Sequence, residues 1–106
     1  MRQVLPNRRV GVNFTLSFWN QPWHVTVGYL SDGSIGELFL TPATKVGSEL
    51  HIMARDAAIL FSLARQYGAP LDTITNALTR NLDGTPSTIV GAVLDEIARK
   101  DQADGR

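Results

Sequence analysis

The stretch Lys45–Gly68, KVGSELHIMARDAAILFSLARQYG, constrains this chain more than any other. It carries both a helix start signal and a helix stop signal. Ser48 has the side-chain oxygen of a good N-cap. Gly68 supplies the left-handed residue that closes many helices, and Pro70 prevents continuation. Between them Leu50, Met53, Ala54, Ala57, Leu60, Phe61 and Ala64 recur at helical spacing, which predicts that this face meets the core. A second apolar set, Ile52, Ile59 and Leu63, lies on the other side with Asp56 beside it. His51, Arg55, Ser62 and Gln66 form a narrow polar strip. A helix with two apolar faces is sandwiched between other elements or helps to form a subunit contact. Asp56 in such a setting calls for a cationic partner, and Arg80 is the expected one.

Upstream, Val10, Val12, Phe14, Leu16 and Phe18 alternate with small or polar residues, the pattern of a half-buried strand. The Trp19–Trp23 connection holds turn residues in its centre, and Val25, Val27 and Tyr29 mark a second strand. Asp32-Gly33 predicts a hairpin with a two-residue type I′ turn. Its register follows: Ser31 opposite Ser34, Tyr29 opposite Gly36, Val27 opposite Leu38 and Val25 opposite Leu40. That arrangement leaves Leu30, Ile35 and Phe39 on the outer sheet face. Such a cluster is a self-association surface, or a face covered by the N-terminal arm or a C-terminal helix.

Downstream, Pro70-Leu71-Asp72 opens a second helix expected to reach about Arg80, with Leu71, Ile74, Ala77 and Leu78 inward. A turn-rich loop, Asn81–Pro86, precedes a third helix capped by Ser87 or Thr88. Ile89, Val90, Val93, Leu94 and Ile97 form its apolar stripe. The predicted fold class is α+β: a three-stranded antiparallel β-meander packed on a long central α-helix, followed by two shorter α-helices. One domain over residues 1–106 is expected, with a loose arm at 1–8 and a frayed end at 101–106.

Composition narrows the function. The chain is 43% apolar with a formal net charge of zero, so nothing global drives it toward nucleic acid or anionic membrane. Arg2, Arg8 and Arg9 form a basic cluster that reads first as a solvated end. With no cysteine there is no thiolate chemistry and no cysteine metal site. No apolar run approaches the ~20 residues needed to span a bilayer, and no secretory signal is evident, so a cytoplasmic protein is expected. His24 and His51 lie in no metal-ligand spacing; no metal and no cofactor are expected. Lys45, Gly47 and Ser48 could hold a phosphate or carboxylate at the helix N-terminus. The plainer reading is that Gly47 turns the chain and Ser48 caps it.

Three runs together, VTVGYLSDGSIGELFL, KVGSELHIMARDAAILFSLARQYGAPLDTITNAL and DGTPSTIVGAVLDEIA, resemble the TSCPD domain family. That domain occurs near the C-terminus of adenosylcobalamin-dependent (class II) ribonucleotide reductases and in short stand-alone bacterial and phage proteins. The resemblance covers Trp23 to Ala98. It rests on the Asp-Gly hairpin before Glu37-Leu38-Phe39, on Lys45-x-Gly47-Ser48, and on Ser62-Leu63-Ala64 leading to Gly68-x-Pro70-Leu71. The chain departs from the family in lacking the cysteine of its name motif and in carrying Thr41-Pro42-Ala43-Thr44 ahead of the lysine. The catalytic barrel of a reductase does not fit in 106 residues, so the resemblance implies kinship without that activity. It implies an accessory or binding domain, with a homodimer or a protein of nucleotide metabolism as partner and nucleic acid disfavoured. The candidate interface residues are Leu30, Ile35, Phe39, Ile52, Ile59 and Leu63. The alternative is a small-ligand or nucleotide phosphate site at Lys45, Gly47 and Ser48.

Overall fold

The structure is a computed structural model that describes residues 11–43 and 48–103. Three antiparallel strands, β1 (Gly11–Phe18), β2 (Gln21–Tyr29) and β3 (Ile35–Pro42), lie in that order across one sheet. Helix α1 (Glu49–Gln66), helix α2 (Leu71–Ala77) and helix α3 (Ile89–Ala103) follow. The predicted α+β class and meander are observed.

The two hairpin turns exchange the expected chemistry. The type I′ geometry falls at Trp19-Asn20, where φ is 52° and 59° and Phe18 pairs with Gln21. Asn tolerates this left-handed region; a Trp rarely enters it. The Trp19 ring lies 4.7 Å from Phe18 and 6.1 Å from Trp23, contacts that help to hold the strained turn. The Asp-Gly turn is instead a three-residue loop. The Leu30 carbonyl accepts from Gly33 N–H at 2.9 Å, and Leu30 N–H donates to the Ser34 carbonyl at 2.7 Å. Gly33 then takes the left-handed position at φ 88°. Asp32 Oδ1 accepts from both the backbone and the hydroxyl of Ser34, locking the loop.

This extra loop residue shifts the register by one beside the turn, and the irregularity between Gly28 and Tyr29 restores it. Tyr29 pairs with Ile35, not Gly36, while Val27–Leu38 and Val25–Leu40 pair as predicted. A bulge places two residues opposite one and re-aims the side chain next to it. Ile35 therefore joins the core with Trp23, Val25, Val27, Leu38 and Leu40, and is not on the outer face.

Helix α1 keeps its predicted ends. Ser48 Oγ accepts from His51 N–H at 3.3 Å, and Gly68 sits at φ 102° after the last turn. Its orientation is the main correction. The buried residues are His51, Ala54, Ala58, Phe61, Ser62, Arg65 and Gln66. Ala54 and Phe61 face inward as expected, but Leu50, Met53, Ala57 and Leu60 are exposed. Three members of the predicted polar strip are buried instead. For Ser62 and Gln66 the reason is the edge of β3, where backbone groups on the side away from β2 need partners, whereas His51 packs on β2 against Trp23 and Gln21. Ser62 Oγ accepts from Leu38 N–H at 2.9 Å and donates to the Ala58 carbonyl at 2.8 Å. Gln66 Nε2 donates to the Gly36 carbonyl at 3.1 Å. Arg65 donates from Nε to the Ile35 carbonyl at 2.7 Å, and its other nitrogens reach the Ala69 carbonyl and Ser34 Oγ.

Helix α2 stops at Ala77, short of the expected Arg80, because Leu78 turns extended and packs half-buried on the core. Arg80 pairs with Asp95 of α3 at 2.8 Å. Asp56 is exposed, so it neither needs nor has the partner assigned to it. In α3 the predicted stripe is observed: Ile89, Val90, Val93 and Leu94 are buried. Thr88 Oγ1 accepts from Gly91 N–H at 3.3 Å, which identifies Thr88 as the cap. The helix continues through Asp101 to Ala103. Lys100 Nζ lies 3.8 Å above the Phe14 ring and joins this helix to β1.

Candidate functional site

With the polar strip of α1 turned onto β3, its apolar residues turn outward. Met53, Leu60 and Tyr67 recur every seven residues and are 71%, 67% and 64% exposed. Ile52 and Ile59 run beside them at 55% and 45%, and Leu63 is half-buried. Phe39, projecting from the outer face of β3, is 52% exposed. A groove of about 470 Å³ joins these two elements, with Phe39, Ile52, Ile59 and Pro42 as apolar walls and Thr41 and Arg55 among its polar lining. A sheet-face residue and a helix-flank residue that the sequence placed on separate surfaces therefore meet on one.

Two of the expected interface residues do not. Leu30 is only 8% exposed and Ile35 only 2%, so neither is available at the surface. The bulge at the start of β3 is the cause for Ile35; Leu30 is held in the closing turn by its bonds to Gly33 and Ser34. Conversely, Met53, Leu60 and Tyr67 are surface residues that hydrophobicity alone assigned to the interior or passed over. Their seven-residue recurrence was the available signal.

Of the predicted anion site, Lys45 and Gly47 lie outside the described residues. Ser48 directs its oxygen at the His51 amide, as a cap does. One turn further, His51 is buried edge-on against Trp23, ring centroids 5.5 Å apart. Its Nε2 lies 3.3 Å from Gln21 Oε1, and Nδ1 is buried without a hydrogen-bond partner. Among the described residues no group of three His, Asp or Glu could hold a metal ion.

The resolved charge effects lie away from this surface. Hydrogen bonds from Ser34 hold the Asp32 carboxyl below its ordinary value, and those from Thr85 do the same for Asp83. Asp95 is lowered chiefly by its hydrogen bonds from Arg80, whose own value is raised by them. Glu96 is lowered by Arg99, 2.7 Å away in an i,i+3 pair.

Fold and surface together define a small α+β domain with an apolar helix face turned to solvent. The sequence is similar to a limited part of several large enzymes named vitamin B12-dependent ribonucleotide reductase. Identity is 36% over 78 residues with that of Agrobacterium fabrum, covering 74% of this chain and 6% of the relative. It is 30% over 105 residues with that of Rhodopirellula baltica, covering 92% of this chain and 10% of the relative. With that of Bradyrhizobium diazoefficiens it is 33% over 78 residues. The chain is thus related to a region of these reductases and spans a tenth or less of the length of these first two relatives. No family model and no solved structure matches it. No helix among the described residues is long and apolar enough to cross a membrane.

Proposed function

We propose that this chain is a non-catalytic accessory or binding domain of the TSCPD type, acting in the cytoplasm through protein contacts made by the outer face of α1. The observation that supports the reading best is the run of Ile52, Met53, Ile59, Leu60 and Tyr67, all exposed along α1 and its C-cap with Phe39 beside them. An apolar patch of this kind is costly to leave in water, and in soluble proteins it marks an interaction site. Asp56 and the Tyr67 phenol apart, the exposed helix face is apolar, and the groove beside it adds Thr41, Arg55 and the buried His51 as polar groups, so the surface as a whole favours contact over chemistry. The relatives carry the matching region inside a much larger enzyme, which favours a protein of nucleotide metabolism as one partner class.

The test has two arms. Sedimentation velocity on the pure chain reads self-association, and calorimetric titration into an adenosylcobalamin-dependent ribonucleotide reductase reads association with the relative. At least one arm is expected to show binding that the double variant Met53→Lys/Leu60→Lys abolishes. Silence in both, or binding indifferent to the double variant, overturns the reading.

A further inference from the structure

We infer that the outer face of α1 pairs with the same face of a second copy of this chain, the two helices running antiparallel with Leu60 at the twofold axis. The inference rests on the protein-contact reading above and names its partner.

Area is the first argument. Taking roughly 200 Å² for a fully exposed large side chain, Phe39, Ile52, Met53, Ile59, Leu60 and Tyr67 leave about 700 Å² of largely apolar surface in water. The largest patch on an ordinary monomer is ≈ 300–600 Å², and a standard interface buries ≈ 800 Å² from each partner. Met53, Leu60 and Tyr67 supply about 400 Å² of this along the seam and Ile52, Ile59 and Phe39 about 300 Å² on its flank; together they exceed the usual monomer range and approach one side of a standard dimer.

Periodicity is the second. Ile52 and Ile59, Met53, Leu60 and Tyr67, and the small residues Ala57 and Ala64 each recur at seven-residue intervals. A seven-residue repeat keeps one seam facing a partner helix, because it follows the 3.5-residue period of coiled-coil packing. The surface is therefore shaped for another helix, and this chain presents a helix of the same period.

Polarity along the helix sets the direction. Asp56 is exposed within the apolar face. A parallel twofold pair would bring it level with its own copy, setting two carboxylates together in an apolar seam. An antiparallel pair centred on Leu60 sets Asp56 level with the partner's Ala64 and within a turn of the partner's Tyr67, whose hydroxyl can donate to it. Met53 then meets the partner's Tyr67. The helix dipoles also oppose one another.

Since the chain contains no cysteine, single introduced cysteines give an unambiguous readout. Sedimentation equilibrium from about 1 to about 500 µM is expected to show a monomer–dimer equilibrium, and Leu60→Glu to weaken it about 100-fold or more. Under mild oxidation Leu60→Cys should crosslink to itself. Met53→Cys should not, because its two copies would stand ~21 Å apart along the axis; mixed with Tyr67→Cys it should form the heterodimer. Ala98→Cys, exposed on α3 away from this face, serves as the uncrosslinked control.

A chain monomeric throughout this range overturns the inference, and so does a dimer indifferent to Leu60→Glu, such as one formed through the β1 edge. Self-crosslinking of Met53→Cys overturns the antiparallel arrangement. A monomer that nonetheless binds the reductase through Met53 and Leu60 would overturn the dimer and leave the proposed function standing.

Discussion

The hydroxyl of Ser62 accepts a hydrogen bond from the backbone N–H of Leu38 at 2.9 Å, joining the middle of α1 to the edge of β3. Both groups are buried, and the residues are 24 apart in sequence. This contact, with those of Arg65 and Gln66, decides which way the helix faces. Replacing Ser62 by Ala should leave the Leu38 amide buried without a partner, at a cost of about 1–3 kcal/mol. Urea unfolding would read this as a lower midpoint at unchanged slope. A change within ~0.5 kcal/mol would mean that the bond does not orient the helix.

Arg65 binds three acceptors at once, the Ile35 and Ala69 carbonyls and the Ser34 hydroxyl. A lysine ammonium is a single point on a flexible stem and cannot serve all three. Arg65→Lys should therefore destabilise by about 1–2 kcal/mol despite keeping the charge. Amide exchange should accelerate first in the Leu30–Ile35 turn. Equal acceleration across the whole sheet would contradict a local clamp.

Ile35 and Leu60 separate the observed packing from the one hydrophobicity predicts. Ile35 is 2% exposed and Leu60 67%. Ile35→Ala should lower stability by about 2–4 kcal/mol, while Leu60→Gln at high dilution should stay within ~0.5 kcal/mol. Calorimetric melting of the two variants checks the order. The reverse ranking would return α1 to the orientation read from its apolar pattern.

Gly33 holds φ 88°, and a methyl group placed there meets nothing within 4 Å. The cost of Gly33→Ala is then conformational strain with no clash, about 1–2 kcal/mol. Gly33→Asn should lose less, since Asn enters the left-handed region more readily. Thermal unfolding of the pair measures the difference; equal losses would point to something other than backbone conformation.

Acid should destabilise this protein. Asp32, Asp83, Asp95 and Glu96 all have folded-state values below their ordinary ones, through hydrogen bonds from Ser34, Thr85, Arg80 and Arg99 respectively. A carboxyl lowered by folding contributes stability above its unfolded value and loses it as pH falls through the folded one. From ordinary values of 3.8 for the aspartates and 4.5 for Glu96, these four groups should make no difference between pH 6 and 8 and weaken the fold progressively below about pH 5. Asp95→Asn should flatten part of that acid limb. Because the Arg80–Asp95 pair is more than a third exposed, the effect will be small and salt-sensitive. A melting temperature that rises on acidification would refute the assignment.

Local signals carried much of this fold. The cap at Ser48, the stop at Gly68 and the stripe of α3 were legible, because each depends on residues near in sequence; the α3 cap was narrowed to Ser87 or Thr88, and the Val27–Leu38 pairing came out as predicted because the bulge cancels the extra loop residue. Of the candidate site, Phe39, Ile52 and Ile59 were legible as apolar residues in excess of what one core needs. Their meeting in one groove was not. The burial of Ile35 depended on an unforeseen bulge, which converts a one-residue change in loop length into a reversal of side-chain direction. The facing of α1 depended on the backbone of β3, whose amides and carbonyls need partners from a helix many residues away. Periodicity weighs side chains by hydrophobicity and cannot see that demand. So the sequence determined that α1 would be a helix with apolar residues on two sides, and tertiary structure turned its polar strip onto the protein and left members of both apolar sets in solvent. Satisfying the buried edge of β3 brought Ser62, Arg65 and Gln66 inward and turned Met53 and Leu60 out.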